Sequence, residues 1–149
     1  MVPVDYFVLH QKLGPAITRF CLPVCRKYHI NQTCFDVLMF LANNGEEYNT
    51  ARDLCAVRGI KPGLASVAVE TLIQRGYLAR RDDPDDRRVR RLFVTEAAAP
   101  LVEEGRASQR AFFHALTRGI PEEELLAYKR TAEKLLRNIC ELNKEGTTT

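Results

Sequence analysis

Residues Tyr77 to Thr95 read YLARRDDPDDRRVRRLFVT. Two short runs of alternating apolar residues, Tyr77 to Arg81 and Val89 to Thr95, flank a Pro-Asp-Asp turn at Pro84 to Asp86. This is the pattern of a β-hairpin with a loop of several residues. In and beside it stand seven arginines, Arg75, Arg80, Arg81, Arg87, Arg88, Arg90 and Arg91, against four aspartates, Asp82, Asp83, Asp85 and Asp86. So many guanidinium groups make a poor core element and a good binder of phosphate, whose geometry their planar forks match. A solvated edge hairpin, blunted by charge against aggregation, would carry the same run, so the neighbouring sequence has to decide.

Thr50 to Arg58 and Pro62 to Arg75 read as two short helices joined by Arg58-Gly59-Ile60-Lys61, and the order helix, tight turn, helix, basic hairpin is that of a winged helix-turn-helix. Thr50, with Asp53 three residues on, makes a capping-box-like start, and a short strand completing the small sheet is expected just before it. In the second helix Leu64 or Ala65, with Ala68, Val69 and Leu72, forms the buried stripe. Gly63, Ser66, Val67, Glu70 and Gln74 are left on the outer face. Base edges in the major groove are read by hydrogen bonds from arginine, lysine, asparagine and glutamine, with some apolar contact to thymine methyls. This face offers few such groups, so phosphate contacts and insertion of the hairpin are expected to dominate unless Lys61 and Ser66 carry base readout.

The run from Phe35-Asp36-Val37-Leu38 through Leu54, Leu72-Ile73-Gln74-Arg75-Gly76-Tyr77-Leu78, Arg80-Arg81 and Asp83-Pro84-Asp85-Asp86-Arg87-Arg88 to Leu92-Phe93-Val94-Thr95 resembles the MarR family of bacterial and archaeal transcription regulators. The resemblance covers Ile30 to Ala98 by motif, and its most specific piece is Asp-Pro-x-Asp-x-Arg followed by a strand ending in threonine. It implies that Asp86 orients Arg88, which enters the DNA minor groove, and marks Arg87 and Arg90 as further wing contacts. On the recognition helix it points to Lys61, Gly63, Ser66 and Val67. Two of these depart from the pattern, since relatives often have arginine or another polar residue at Val67 and a small polar cap at Lys61. The expected fold class is mainly α with a small β-hairpin wing. The winged helix-turn-helix domain is placed at 31–95, a helical dimerisation region at 1–30 and 96–145, and a disordered tail at 146–149.

With 149 residues, 46% of them hydrophobic and 28% charged, the chain can bury a core without disulfides. It has no apolar run long enough to span a bilayer and no leader at its start, so a cytoplasmic protein with no membrane partner is expected. Net charge is +3. From Arg58 to Arg91 nine basic residues stand against five acidic ones, whereas from Glu96 onward there are eight against nine. The basic excess therefore lies on the reading head, the electrostatic footprint of a nucleic-acid binder.

Five cysteines, Cys21, Cys25, Cys34, Cys55 and Cys140, have no metal-site spacing and fit reduced thiols better than a disulfide framework. Cys34, Cys55 and Cys140 fall on apolar helix faces as small core residues. Cys21 and Cys25, four apart on one side of a helix, are the candidate thiol sensor, against the plainer reading that they too are structural. His10, His29 and His114 have no ligand spacing, so no metal and no cofactor is expected.

The remaining chain is helical by pattern. Gly14-Pro15 is expected to end one helix and start another between Asp5 and Tyr28, and Pro23 to kink what continues. Asn31 to Asn43 is a scaffold helix with an apolar stripe. Glu96 to Leu116 and Glu122 to Leu142 are two further helices, and the second carries so broad an apolar stripe that it needs a partner, by resemblance the same region of a second subunit. Together these features indicate a homodimeric regulator without enzymatic activity. It is expected to bind double-stranded DNA at a palindromic operator, as a repressor responsive to a ligand or an oxidant, with a small-molecule effector bound between the first helix, the last helices and the winged domain. A second reading is a module of the same fold that binds a protein or small ligand and has lost specific DNA recognition. A thiol redox enzyme using Cys21 and Cys25 is disfavoured, because their spacing is not the two-residue one of redox motifs.

Overall fold

The computed structural model describes residues 6–145, and the tail expected at 146–149 lies outside them. Six helices and one hairpin follow in the order α1 (Tyr6–Lys27), α2 (Gln32–Asn44), α3 (Ala51–Ala56), α4 (Pro62–Gln74), β1 (Leu78–Asp82), β2 (Arg90–Val94), α5 (Ala99–Leu116) and α6 (Glu122–Glu145), with a 3₁₀ turn at Glu96–Ala98 leading into α5. The fold is mainly helical with a two-stranded antiparallel wing, the class expected from sequence. No described helix is long and apolar enough to cross a membrane.

Contacts divide the described residues into two compact units, with the boundary between Phe112 and Phe113. The division falls inside α5, so the first turns of that helix belong with the winged-helix elements. Leu101, Val102, Gly105 and Phe112 are buried there. The approach of α5 to α2 requires a residue without a side chain, since a Cβ at Gly105 would stand 2.5 Å from Met39 Sδ and 3.1 Å from a Phe35 ring carbon.

In the first unit, Phe35, Leu38, Leu54, Leu72 and Leu101 are fully buried, with Leu78 and Leu92 of the wing joining the same cluster. Asn31 caps α2 by accepting the Cys34 amide, and Thr50 with Asp53 forms a complete capping box on α3. The α3–α4 turn contains Gly59 at φ +77°, a left-handed conformation that glycine adopts without penalty.

Helix α1 is continuous. Gly14-Pro15 does not divide it, and both Pro15 and Pro23 lie inside. A proline within a helix forfeits one backbone bond and costs about 3 kcal/mol. Here both prolines sit on the exposed side, while Cys21, Val24 and Cys25 bury the opposite face in the core and hold the helix through them. The helix ends in a Schellman pair, His29 N to Arg26 O and Ile30 N to Cys25 O, with His29 at φ +52°. Glu104 of α5 accepts bonds from Lys27 (2.6 Å) and Tyr28 (2.8 Å), which hold its carboxyl below the usual range.

In the second unit none of the α6 residues 122–144 is buried within the single chain, and Leu126, Tyr128, Leu136, Ile139 and Leu142 are exposed. Cys140 is exposed there as well, so it is not the core residue its apolar neighbours suggested.

Candidate nucleic-acid interface

Helices α3 and α4, joined by the Gly59 turn, form the helix-turn-helix. Ala65, Ala68, Val69 and Leu72 of α4 are buried against α2 and α3, which decides between Leu64 and Ala65 in favour of the latter. Gly63, Ser66, Val67, Glu70 and Gln74 are exposed, as the helical period requires. Lys61 occupies the N-cap position of α4 and makes no side-chain cap bond. An ammonium has no acceptor to offer the first amides, so they and the positive end of the helix dipole are left for an outside anion.

The wing follows directly. Gly76, at φ +76°, turns the chain out of α4, and Tyr77 N bonds back to Leu72 O. Strand β1 then pairs with β2 from Leu78↔Val94 to Asp82↔Arg90. Thr95 fastens the base of the hairpin, its amide donating to Tyr77 O (3.1 Å) and its hydroxyl to Gly76 O (2.5 Å). The strand expected before Thr50 is reduced to one bridge, Thr50↔Arg91, beside a bond from Leu92 N to Asn49 O.

Asp83 organises the wing tip. Its carboxylate accepts the amides of Asp85 (2.8 Å) and Asp86 (3.0 Å) and the Arg91 Nε (2.5 Å), while Arg91 Nη1 reaches Asn49 Oδ1 at 2.8 Å. The two backbone amides and the guanidinium hold this carboxyl below the usual range. Asp86 takes up the next step, accepting the backbone amide of Arg88 at 2.9 Å. It therefore fixes the backbone from which the Arg88 side chain projects, and no bond joins it to the guanidinium. The roles of Asp83, Asn49 and Arg91 are absent from the sequence reading, although Asp83-Pro84 is the kind of dipeptide whose carboxylate caps amides two residues on.

The seven arginines divide by what they touch. Arg75 donates to the carbonyls of Tyr28 (3.0 Å) and His29 (2.6 Å), clamping the end of α4 to the end of α1. Arg91 belongs to the Asp83 brace, and Arg80 is paired with Glu70 of α4. Arg81 lies over the Phe93 ring at 4.9 Å, and Arg90 makes a loose exposed contact with Asp82 at 3.6 Å. Arg87 and Arg88 are exposed at the tip, and their side chains form no hydrogen bond or ion pair among the described residues. Such side chains give up no internal contact when they meet a phosphate.

Between α3, α4 and the root of the wing lies a cleft of about 330 Å³, lined among others by Arg52, Cys55, Ser66, Val69, Arg80 and Arg90. Arg52, at the start of α3 and exposed, is a cation of this surface that the hairpin-centred reading passes over.

Cys21 and Cys25 stand apart from this surface. Both are buried in the core, and burial pushes both thiols up, Cys25 to about 11 with added repulsion from Cys21 and Asp36. Neither has the exposure or the thiolate character that a reactive thiol needs. Among the described residues no cluster of His, Cys, Asp and Glu is arranged to hold a metal.

The profile of the MarR family matches residues 30–89. Over nearly the whole chain the structure is also similar to solved MarR-family regulators. A transcriptional regulator from Listeria monocytogenes, solved in complex with a 26-mer DNA, is 16% identical with a TM-score of 0.80, over 92% of this chain and 90% of that one. CouR from Rhodococcus jostii RHA1, bound to p-coumaroyl-CoA, is 21% identical with a TM-score of 0.73, over 91% and 94%. A regulator from Silicibacter pomeroyi is 19% identical with a TM-score of 0.75, over 89% and 88%. At these identities the likeness is one of fold.

Proposed function

We propose that the chain is a member of the MarR family, whose profile matches its winged-helix segment at residues 30–89, and that it is a DNA-binding transcriptional regulator that acts as a homodimeric repressor at a palindromic operator. The observation that carries this reading is the wing tip. Arg87 and Arg88 project without internal partners from a backbone that Asp83 and Asp86 hold in place. Guanidinium groups with no internal partner, carried on a backbone already held, meet a phosphate without first breaking a bond within the chain. In this reading Arg88 enters the minor groove, Arg87 and Arg90 contact the flanking phosphates, and α4 lies in the major groove with Lys61, Gly63, Ser66 and Val67 at the DNA.

The segments 1–30 and 96–145 provide dimerisation in this proposal, and the apolar residues left uncovered on α6 support it. Regulation is by a small molecule that binds better to a dimer with its reading heads at the wrong spacing, and so weakens operator binding by that difference in affinity. Oxidant sensing through Cys21 and Cys25 is set aside, because burial keeps both protonated.

The test is selection from a random-sequence duplex library with the full chain, followed by gel shift of the enriched sequence. Enrichment of an inverted repeat bound by a dimer is expected. Recovery of the library unenriched would refute the reading and leave the ligand- or protein-binding module in its place.

A further inference from the structure

The outer face of α4 carries an apolar strip that the fold does not use. Val67 is 65% exposed and Leu64, one turn earlier, is 54% exposed. Thr71, one turn later, spends its hydroxyl on the helix itself by donating to Val67 O at 2.9 Å. Glu70, the only ionisable group on this face of α4, is already paired with Arg80. At Gly63 an added Cβ would meet nothing within 4 Å. The fold therefore does not require a glycine there, and its bare backbone leaves room for something outside to come close.

Exposed aliphatic side chains are common on protein surfaces, and what singles out these two is their alignment on one helix face and the groups around them. Lys61 lies at the N-terminal end of the strip, Arg52 on the neighbouring helix, and Arg87 and Arg88 on the wing. An apolar strip flanked by cations fits a polyanion that itself presents apolar points. In the major groove of DNA only one base-edge group is apolar, the C5-methyl of thymine.

We propose that Val67, seconded by Leu64, is the specificity determinant of this protein and reads thymine methyl groups in the major groove of each half-site. Base readout is thus shape and methyl contact in place of a bidentate hydrogen-bond code. The inference rests on the DNA-binding reading above, and it explains how a recognition helix poor in hydrogen-bonding groups can still select a sequence.

The experiment replaces thymines one at a time by deoxyuridine in the selected duplex, which removes the methyl and leaves every hydrogen-bonding edge intact. Wild type is expected to lose about fourfold in affinity for each methyl that is buried on binding. Val67→Ala should bind the thymine duplex more weakly and show no further loss on deoxyuridine at the position Val67 contacts. Its thermal midpoint should match wild type, because Val67 takes no part in the core. Equal wild-type affinity for the thymine and deoxyuridine duplexes would overturn the inference while leaving DNA binding intact. So would a Val67→Ala variant that binds as tightly as wild type, the result expected if a protein partner covered the strip. Failure to bind any duplex would overturn the DNA reading and this inference with it.

Discussion

Arg88→Ala removes a guanidinium that the chain does not use for its own fold. The contact that shapes this part of the wing, Arg88 N to Asp86 Oδ1 at 2.9 Å, is made by the backbone and survives the change. Stability should therefore stay within about 0.5 kcal/mol of wild type, as for other surface positions without partners. Binding should not be spared. A cation brought into the minor groove displaces counterions as one at a phosphate does, and at about 0.9 in the slope of log K against log salt for each, at 0.1 M salt one lost contact weakens binding about eightfold per protomer and about sixtyfold for a dimer. Fluorescence anisotropy on the selected duplex across a salt series measures both quantities, and a thermal melt measures the fold. Arg91→Ala is the instructive contrast, because it removes the bonds to Asp83 and Asn49. It should lower the thermal midpoint by several degrees as well as weakening DNA binding. Arg110→Ala, on an exposed face of α5 and loosely paired with Glu103 at 3.3 Å, should change neither. An Arg88→Ala protein with the wild-type salt slope and affinity would refute the assignment of the wing tip.

Gly105→Ala should destabilise by about 1–3 kcal/mol in a chemical melt, because its methyl would meet Met39 and Phe35, both buried. Cys25 should react with iodoacetamide at pH 8 roughly a hundredfold more slowly in the native protein than in denaturant, since its folded value of about 11 leaves far less thiolate than the ordinary 9.0. The same shift has a sign for stability. The unfolded thiol ionises first as pH rises, so the contribution is whole below about pH 9 and is lost towards pH 11. Leu136→Asp should convert a dimer seen by light scattering into a monomer, given the apolar residues exposed on α6.

Local signals carried most of the fold. The strands lie within a residue of where the alternating pattern placed them, and the Thr50-Asp53 box and the α4 stripe followed from spacing alone. Helix α1 runs on through Gly14-Pro15, a local breaker, because burial of Cys21, Val24 and Cys25 against elements distant in sequence overrides it. The arginines were harder for the same reason. Counting showed seven guanidinium groups, but Arg75 is engaged by carbonyls 46 and 47 residues away and Arg91 by an asparagine 42 residues away. Nothing in a single sequence announces such pairings, and they decide which arginines remain for a ligand. Val67 was legible as outward-facing, and its exposure gives that placement a chemical meaning.

Hydroxyl-radical footprinting of the selected duplex, with wild type and with the Arg87→Ala, Arg88→Ala double variant, shows whether the wing tip enters the minor groove, because the radical reports minor-groove access nucleotide by nucleotide. Wild type should protect a minor-groove stretch outside each half-site. The double variant, bound at saturating concentration, should lose those two stretches and keep the sugar-phosphate protection between them. Identical footprints for the two proteins, or no protection by either, would contradict that placement of the wing tip.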